Sequence, residues 1–329
     1  MKILLTGATG FLGYRTLEKL VMLNYVSSII ATGRTLLPYR KINNSKIVYE
    51  FGSLEDNVFV EKLVTGVDII INTASLSSPW GNPSDFKKAN IDTQSNLIQA
   101  AKKYGVKKFI YISSPSVYFN GKNRNAVKES DPLPATFVNE YAKTKRQAEI
   151  LLENSQLPYV ILRPRALIGR GDSVIMPRLI RAFDEGKLRI IGRGINVVDL
   201  TSVDNVVEAI HLSIHAKDDA VNQIYNITND EPTVLWKSIQ DVLSALNKSL
   251  NQKKIPYYIV FSYAKLVELK ARILKKNEPT LTAYGVGTLA LSFTLDITKA
   301  KTLLGYRPVI STKEAIDEFV KWYSSDENL

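Results

Sequence analysis

Short β-branched runs alternate with stretches of helical spacing through the first half of the chain. Residues 2–5 read as a strand, and 11–23 carry apolar side chains at helical intervals. Further strands are expected at 28–31, 46–50, 68–72, 108–112 and 159–162, with helices at 91–104 and 140–153. Strands that alternate with helices predict an α/β fold: a doubly wound parallel sheet of the Rossmann type, helices on both faces. No internal repeat or low-complexity linker interrupts the pattern. After about residue 228 the chain becomes more basic and less regular, which suggests a smaller second domain. The expected division is 1–165 with 195–228 for the first domain, and 166–194 with 229–329 for the second.

The chain has 329 residues, no cysteine and only two histidines. Disulfides, thiolate metal sites and a cysteine nucleophile are therefore excluded. His211 and His215 stand four apart on a predicted helix. No third ligand accompanies them, so no metal site is expected. Asp199 with Asp204 resembles an acid pair, but Asp204-Asn205 reads better as a helix start. The start of the chain lacks a signal-peptide pattern. The apolar run at 255–264 is half of the roughly 20 residues that span a bilayer. A cytoplasmic protein is expected, with peripheral contact to a membrane as the alternative.

The formal net charge is +11. Much of it lies in 248–276, where eight Lys and Arg stand against Glu268 alone, a net of +7. Helical spacing puts Lys265, Glu268, Arg272, Lys275 and Lys276 on one side, and Ile259, Tyr263, Leu266, Val267, Ile273 and Leu274 largely on the other. Such a helix can lie on an anionic bilayer through 255–276, or cover a substrate pocket. The plainer expectation is that it packs its apolar side on the protein and leaves its basic side in water. No nucleic-acid motif appears, so nucleic acid is not expected as a partner.

Gly7-Ala8-Thr9-Gly10-Phe11-Leu12-Gly13 falls between the first strand and the first helix. Glycines there permit a tight turn and close approach of backbone to a pyrophosphate, which the helix N-terminus then attracts. An acid at the end of the second strand would bind the ribose of NAD. No Asp or Glu occurs between Glu18 and Glu50, and Arg34 stands at the expected place. Its planar fork suits a 2′-phosphate, which favours NADP over NAD. A solvated arginine in a turn is the alternative, and Arg40 or Lys41 can also contribute. Tyr141 and Lys145 lie one helical turn apart. A nearby ammonium is expected to lower the phenol from its usual value near 10. Ser114 follows a strand that ends on the edge where doubly wound folds bind ligands.

With these motifs in order, the chain resembles the extended short-chain dehydrogenases/reductases of the NAD(P)-dependent epimerase/dehydratase superfamily. The likeness rests on T-G-A-T-G-F-L-G at 6–13, N-T-A-S at 72–75, Asn90 with Thr93, S-S-P-S-V-Y at 113–118, Y-A-K-T-K at 141–145 and L-R-P-R at 162–165. Within it, the 3β-hydroxysteroid dehydrogenase-like branch is most similar, which includes sterol-4-carboxylate 3-dehydrogenases and bacterial β-keto-acid reductases. The pointers are Val198-Asp199-Leu200-Thr201, the run Ile227 to Pro232 with Trp236, and Gly305-Tyr306-Arg307-Pro308.

The resemblance implies Tyr141 as proton donor or acceptor, Lys145 on the nicotinamide ribose, and Ser114 on the substrate oxygen. It implies cofactor contacts from Ser53, Leu54, Asn72, Ala74, Ser75, Asn90, Ser113 and Pro164. It also implies a lipid-like or steroid-like 3-hydroxy or 3-oxo substrate, and often a homodimer. Departures are Ser53 in place of the usual acid, Arg34, and Leu167 to Asp172 in place of Tyr-Gly-Pro. Trp80, Tyr257, Tyr258 and Phe261 are candidates for an apolar pocket or for core. A nucleotide-sugar epimerase and a non-catalytic NADP sensor are the rival readings. A sugar dehydratase should carry an acidic pair where Pro115-Ser116 stands.

Overall fold

A computed structural model describes residues 1–274 and 279–325. Its strands are β1 (Lys2–Thr6), β2 (Ser28–Gly33), β3 (Ile47–Phe51), β4 (Ile69–Asn72), β5 (Lys108–Ile112), β6 (Arg124–Val127), β7 (Tyr159–Pro164), β8 (Val197–Val198), β9 (Gln223–Ile227), β10 (Thr233–Val234) and β11 (Phe293–Leu295), besides some short paired segments. The main helices are α1 (Phe11–Val21), α2 (Asn57–Val64), α3 (Thr93–Lys103), α4 (Glu140–Glu153), α5 (Val203–His215), α6 (Leu235–Ala245), α7 (Tyr257–Ile273), α8 (Ala283–Ala290) and α9 (Thr312–Tyr323).

Seven parallel strands form one sheet in the order β9-β7-β5-β4-β1-β2-β3. The order reverses beside β1: the chain builds outward to β3, then returns to β4 on the other side. A crevice opens at such a switch point, outside the carboxyl ends of the strands. Period-two side chains feed both faces of the sheet. Ile3, Leu5, Ile69, Ile71, Ile110 and Leu162 pack on the face covered by α1 and α5. Leu4, Ile70, Phe109, Tyr111 and Ile161 pack on the face covered by α2, α3 and α4.

A second core joins Met176, Ile180, Trp236, Ile239, Ala264, Val286, Ile316 and Phe319, drawn from α6 to α9 and the helix Ile175–Asp184. A four-stranded sheet, β10-β8-β11-β6, lies apart from the main one. β6 leaves the first half of the sequence to pair with β11 there. Among the described residues, no helix is long and apolar enough to cross a membrane.

The basic helix differs from expectation. α7 packs through Ala264 and Ala271, which are buried, with Tyr257, Val260 and Phe261 partly covered beside them. The apolar side faces outward: Tyr258 is 79% exposed, Leu266 66% and Ile273 71%, with Ile259, Tyr263 and Leu269 also exposed. Small alanines let the helix approach its neighbours, so that arc, rather than the leucine side, became the packed one. Lys265, Lys270 and Arg272 are exposed as well. Lys275 and Lys276 lie outside the described residues.

His211 and His215 pack around Tyr25, with ring centroids at 6.4 and 4.7 Å. Asp204 sits in the first turn of α5 and pairs with Arg15 at 2.6 Å. Asp199 instead turns inward and accepts the Leu295 N–H at 2.7 Å.

Candidate active site

β1 delivers the glycine loop to the crevice. Gly7 takes φ +69°, and a Cβ there would come within 2.7 Å of the Ala74 nitrogen. Gly13 lies so close to the Gly7 carbonyl that no side chain fits. These two glycines serve the turn and the helix–strand contact. Gly10 is different: a Cβ would meet only the Gly7 oxygen, at 3.3 Å. Gly10 is also the N-cap of α1, with no side chain capping it and no acid in the first turn. Open space, bare N–H groups and the positive helix end fit a pyrophosphate. Ala8 is buried, Thr9 and Phe11 flank the space, and Leu12 turns back to the core.

The loops that surround this space are braced from within. The Thr6 hydroxyl donates to Asn72 Oδ1 at 2.6 Å, and Asn72 Oδ1 accepts the Ala74 N–H at 3.1 Å. The Asn72 amide donates to Gln94 at 2.7 Å. Asn90 accepts from Ser75 and from the Leu76 N–H, and donates to Thr144 on α4 at 3.0 Å. Asn72 and Asn90 thus spend their polar groups on loop shape. Leu54 packs against the core, and Ser53 is exposed with its hydroxyl accepting the Glu55 N–H.

Arg34 is exposed at the end of β2 and has no hydrogen bond or ion pair among the described residues. Gly33 brings that strand end against Thr9, whose hydroxyl would lie 2.5 Å from a Cβ. Arg40, which the sequence could not place, is buried. It donates to the Thr9 carbonyl at 2.9 Å and to the Gly171 carbonyl at 3.2 Å. Lys41 is exposed.

The predicted triad converges where β5 ends and α4 begins. Asn139 caps α4 by accepting the Ala142 N–H at 2.9 Å, which sets Tyr141 in the first turn. Ser114 leaves β5 in extended conformation, accepts the Ser116 N–H at 3.2 Å, and lies close enough to the Tyr141 hydroxyl to favour its ionised form. Lys145 is buried, donates to the Ile112 carbonyl at 2.7 Å, and lies 5.9 Å from the Tyr141 ring centroid. Burial pushes the Tyr141 phenol up to about 12, against the lowering effect of Ser114. Burial also pulls Lys145 down to about 7, against the Glu149 charge. The expected depression of Tyr141 is therefore not what the geometry yields. The ammonium is turned onto a carbonyl, and its own burial disfavours the charge that would act on the phenol.

Ser113 faces away from the crevice and donates to Glu149 at 2.6 Å. Glu149, one turn after Lys145, also receives Arg163 through Nε at 2.8 Å and Nη2 at 2.6 Å. Arg163 in turn donates to the Tyr118 hydroxyl, which donates to Asn226 at 3.0 Å. This buried net ties α4, β5, β7 and β9 together beneath the triad. Sequence reasoning missed Glu149 and Arg163. Their only signal was a pair of charges in otherwise apolar element faces. Pro164 is buried at the end of β7, beside the same net.

Of the proposed apolar residues, Tyr257 and Phe261 pack together in the second core, at 5.4 Å between centroids. Tyr258 is exposed. Trp80 lies on the loop that follows β4, beneath Arg272 at 5.5 Å. Phe119, Tyr284 and Phe293 form an aromatic wall that the sequence did not reveal, with Tyr284 and Phe293 edge-on to Phe119. A cavity of about 740 Å³ lies at the other end of the sheet, by Tyr159 and Gln223, and touches none of these residues.

Residues 3–228 match the family described as NAD dependent epimerase/dehydratase. The 2-alkyl-3-oxoalkanoate reductase of Shewanella oneidensis is 29% identical over 94% of this chain and 83% of its own. The decarboxylating sterol-4-alpha-carboxylate 3-dehydrogenase of Candida albicans is 30% identical over 98% of both chains. Among solved structures, UDP-glucuronic acid 4-epimerase from Bacillus cereus in complex with NAD superposes with a TM-score of 0.73 at 25% identity, covering 98% of each chain.

Proposed function

The chain belongs to the NAD dependent epimerase/dehydratase family, as an NAD(P)-dependent enzyme of the short-chain type, and from that premise we propose an NADP(H)-dependent oxidoreductase that interconverts a secondary alcohol and a ketone on a lipid-like 3-hydroxy or 3-oxo substrate. The observation that carries this reading is the convergence of Ser114, Tyr141 and Lys145 beside the glycine loop. The relatives named for 3-oxoalkanoate reduction and sterol 3-dehydrogenation support the substrate class. An epimerase uses the same pair, and the Bacillus cereus neighbour keeps that alternative in the test.

Bound nicotinamide supplies the hydride. In reduction, Ser114 and Tyr141 hold the carbonyl oxygen, and the Tyr141 hydroxyl gives it a proton as the alkoxide develops. Lys145, held on Ile112, is placed to meet the cofactor ribose. Pro164 closes the apolar side behind the ring. Turnover of 3-oxo acids and 3-oxo steroids, followed by NADPH absorbance, tests this. Conversion of a nucleotide sugar with no net change in NADPH, and no reduction of either ketone class, would overturn it.

Arg34 carries the cofactor preference. Removing it with Arg34→Ala should weaken NADPH binding roughly 10- to 100-fold, the worth of hydrogen bonds to a charged group, and leave NADH nearly unchanged. Fluorescence titration measures both. Equal affinity of the parent for the two cofactors would end the 2′-phosphate argument.

The outward face of α7 fits an anionic lipid surface. Tyr258, Ile259, Leu266 and Ile273 stand exposed, with Lys254, Lys265 and Lys270 alongside. Apolar insertion and basic attraction act together in such helices. The Arg272–Trp80 contact ties this helix to the loop that follows β4. Co-sedimentation should show binding to vesicles containing phosphatidylglycerol, weakened by salt and lost in Leu266→Asp/Ile273→Asp. No binding, with a dimer that the same substitutions split, would assign the face to a second copy instead.

A further inference from the structure

Arg163 and Arg165 stand two residues apart at the end of β7, and only the first is satisfied. Arg163 is held by both oxygens of Glu149 and by Tyr118. Arg165 is equally hidden, at 7% exposure, and lies over the Phe293 ring at 4.4 Å. Its Nε is sealed from solvent without a partner. No hydrogen bond or ion pair reaches its guanidinium from any described residue. Asp199 is the nearby opposite charge, but it is turned to the Leu295 N–H, and its other oxygen is also unpartnered. A buried guanidinium without a hydrogen-bonding acceptor is costly. The aromatic face beneath it recovers a part of that cost.

The position of this fork matters. Pro164, next in the chain, backs the proposed nicotinamide site. Tyr284 is close enough to interact electrostatically with both Tyr141 and Arg165. Phe119 packs edge-on to Tyr284 at 5.3 Å and to Phe293 at 6.1 Å. Arg165 therefore lies on an aromatic wall whose Tyr284 reaches Tyr141 electrostatically.

We propose that Arg165 binds the carboxylate of the substrate, so that the enzyme acts on free 3-oxo or 3-hydroxy acids rather than on their esters or on simple ketones. This deepens the oxidoreductase reading and rests on it. One planar fork matches one planar carboxylate through two parallel N–H bonds. In a 3-oxo acid the carboxylate is one carbon removed from the reacting carbonyl. An anchored carboxylate then fixes which face of the ketone meets Tyr141. A diphosphate would call for more cations than this wall presents, since Lys145 is the group assigned to the cofactor ribose.

A site built to pair a polar group rejects analogues that lack it by large factors. The parent should prefer 3-oxodecanoate over methyl 3-oxodecanoate and over 2-decanone by at least ~10²-fold in kcat/KM. Arg165→Met should lose that preference, chiefly through a higher KM for the acid, so that acid, ester and ketone approach one another in kcat/KM. Arg165→Lys should restore part of the preference. Because an unpaired buried charge is removed, Arg165→Met should melt no lower than the parent. Calorimetry with decanoate on the NADPH-loaded protein separates anchor from reaction. Decanoate binding that Arg165→Met abolishes, without turnover of any ketone, keeps the anchor and overturns the oxidoreductase reading. Ketone turnover without carboxylate preference overturns the anchor alone. Neither binding nor turnover overturns both.

Discussion

Tyr141→Phe should lower kcat by about 10²- to 10⁴-fold, the range for loss of a positioned general acid, with NADPH affinity unchanged. The variant removes one oxygen and keeps the ring under which Lys145 is packed. Ser114 remains and can still accept a bond from the substrate in one protonation state, but it has no second group to relay a proton. The phenol, pushed up to about 12 by burial, stays protonated throughout the neutral range. It is thus ready to donate, which favours ketone reduction. The phenol itself should add no inflection to reduction between pH 6 and 9, so that any step near 7 belongs to Lys145, which burial pulls down to about 7, and oxidation should rise with pH as deprotonation becomes easier. Stopped-flow measurement in both directions checks this. A Tyr141→Phe enzyme with parental kcat would remove the residue from the chemistry.

Glu149→Gln should cost about 3–5 kcal/mol of stability, the typical result of leaving one member of a buried ion pair uncompensated. Burial by itself would raise the Glu149 pKa. The Arg163 charge, with bonds from Arg163, Ser113 and Arg146, overcomes that and holds it below the ordinary value. A folded-state pKa below the unfolded one gives stability that is present above the unfolded value. It is lost as the pH falls through the folded one. The variant should therefore lose most near neutral pH and differ little from the parent in strong acid. Urea unfolding at several pH values reads this directly. Arg163→Met/Glu149→Met should cost less than the sum of the single changes, because neither charge is then stranded. Additive costs would show that the two groups do not act as a pair.

The net around Glu149 also shows why part of the site was hidden from sequence reasoning. Glycine spacing, strand runs and the Tyr141–Lys145 interval are local, and each has a geometric meaning within one turn or one strand. Those features led to the right sheet. The family resemblance implied Ser113 as a cofactor contact, while strand alternation sends its hydroxyl to Glu149. Asn72 and Asn90 looked like cofactor ligands, yet their amides shape the loops. Arg40 had no pattern of its own, and found the Thr9 carbonyl only because the chain folds back after β2.

The sequence by itself determined the doubly wound sheet, the glycine turn between its first strand and helix, and the one-turn spacing of Tyr141 and Lys145, because periodicity and short spacings act along the chain. Tertiary structure alone decided which charges are paired and which faces are covered. Arg163 and Arg165 are the same residue type on the same strand end, and one is satisfied while the other is not. On α7, the alanine arc rather than the leucine arc meets the protein. Burial and pairing are set by partners tens to hundreds of residues away, and no window along the chain contains them.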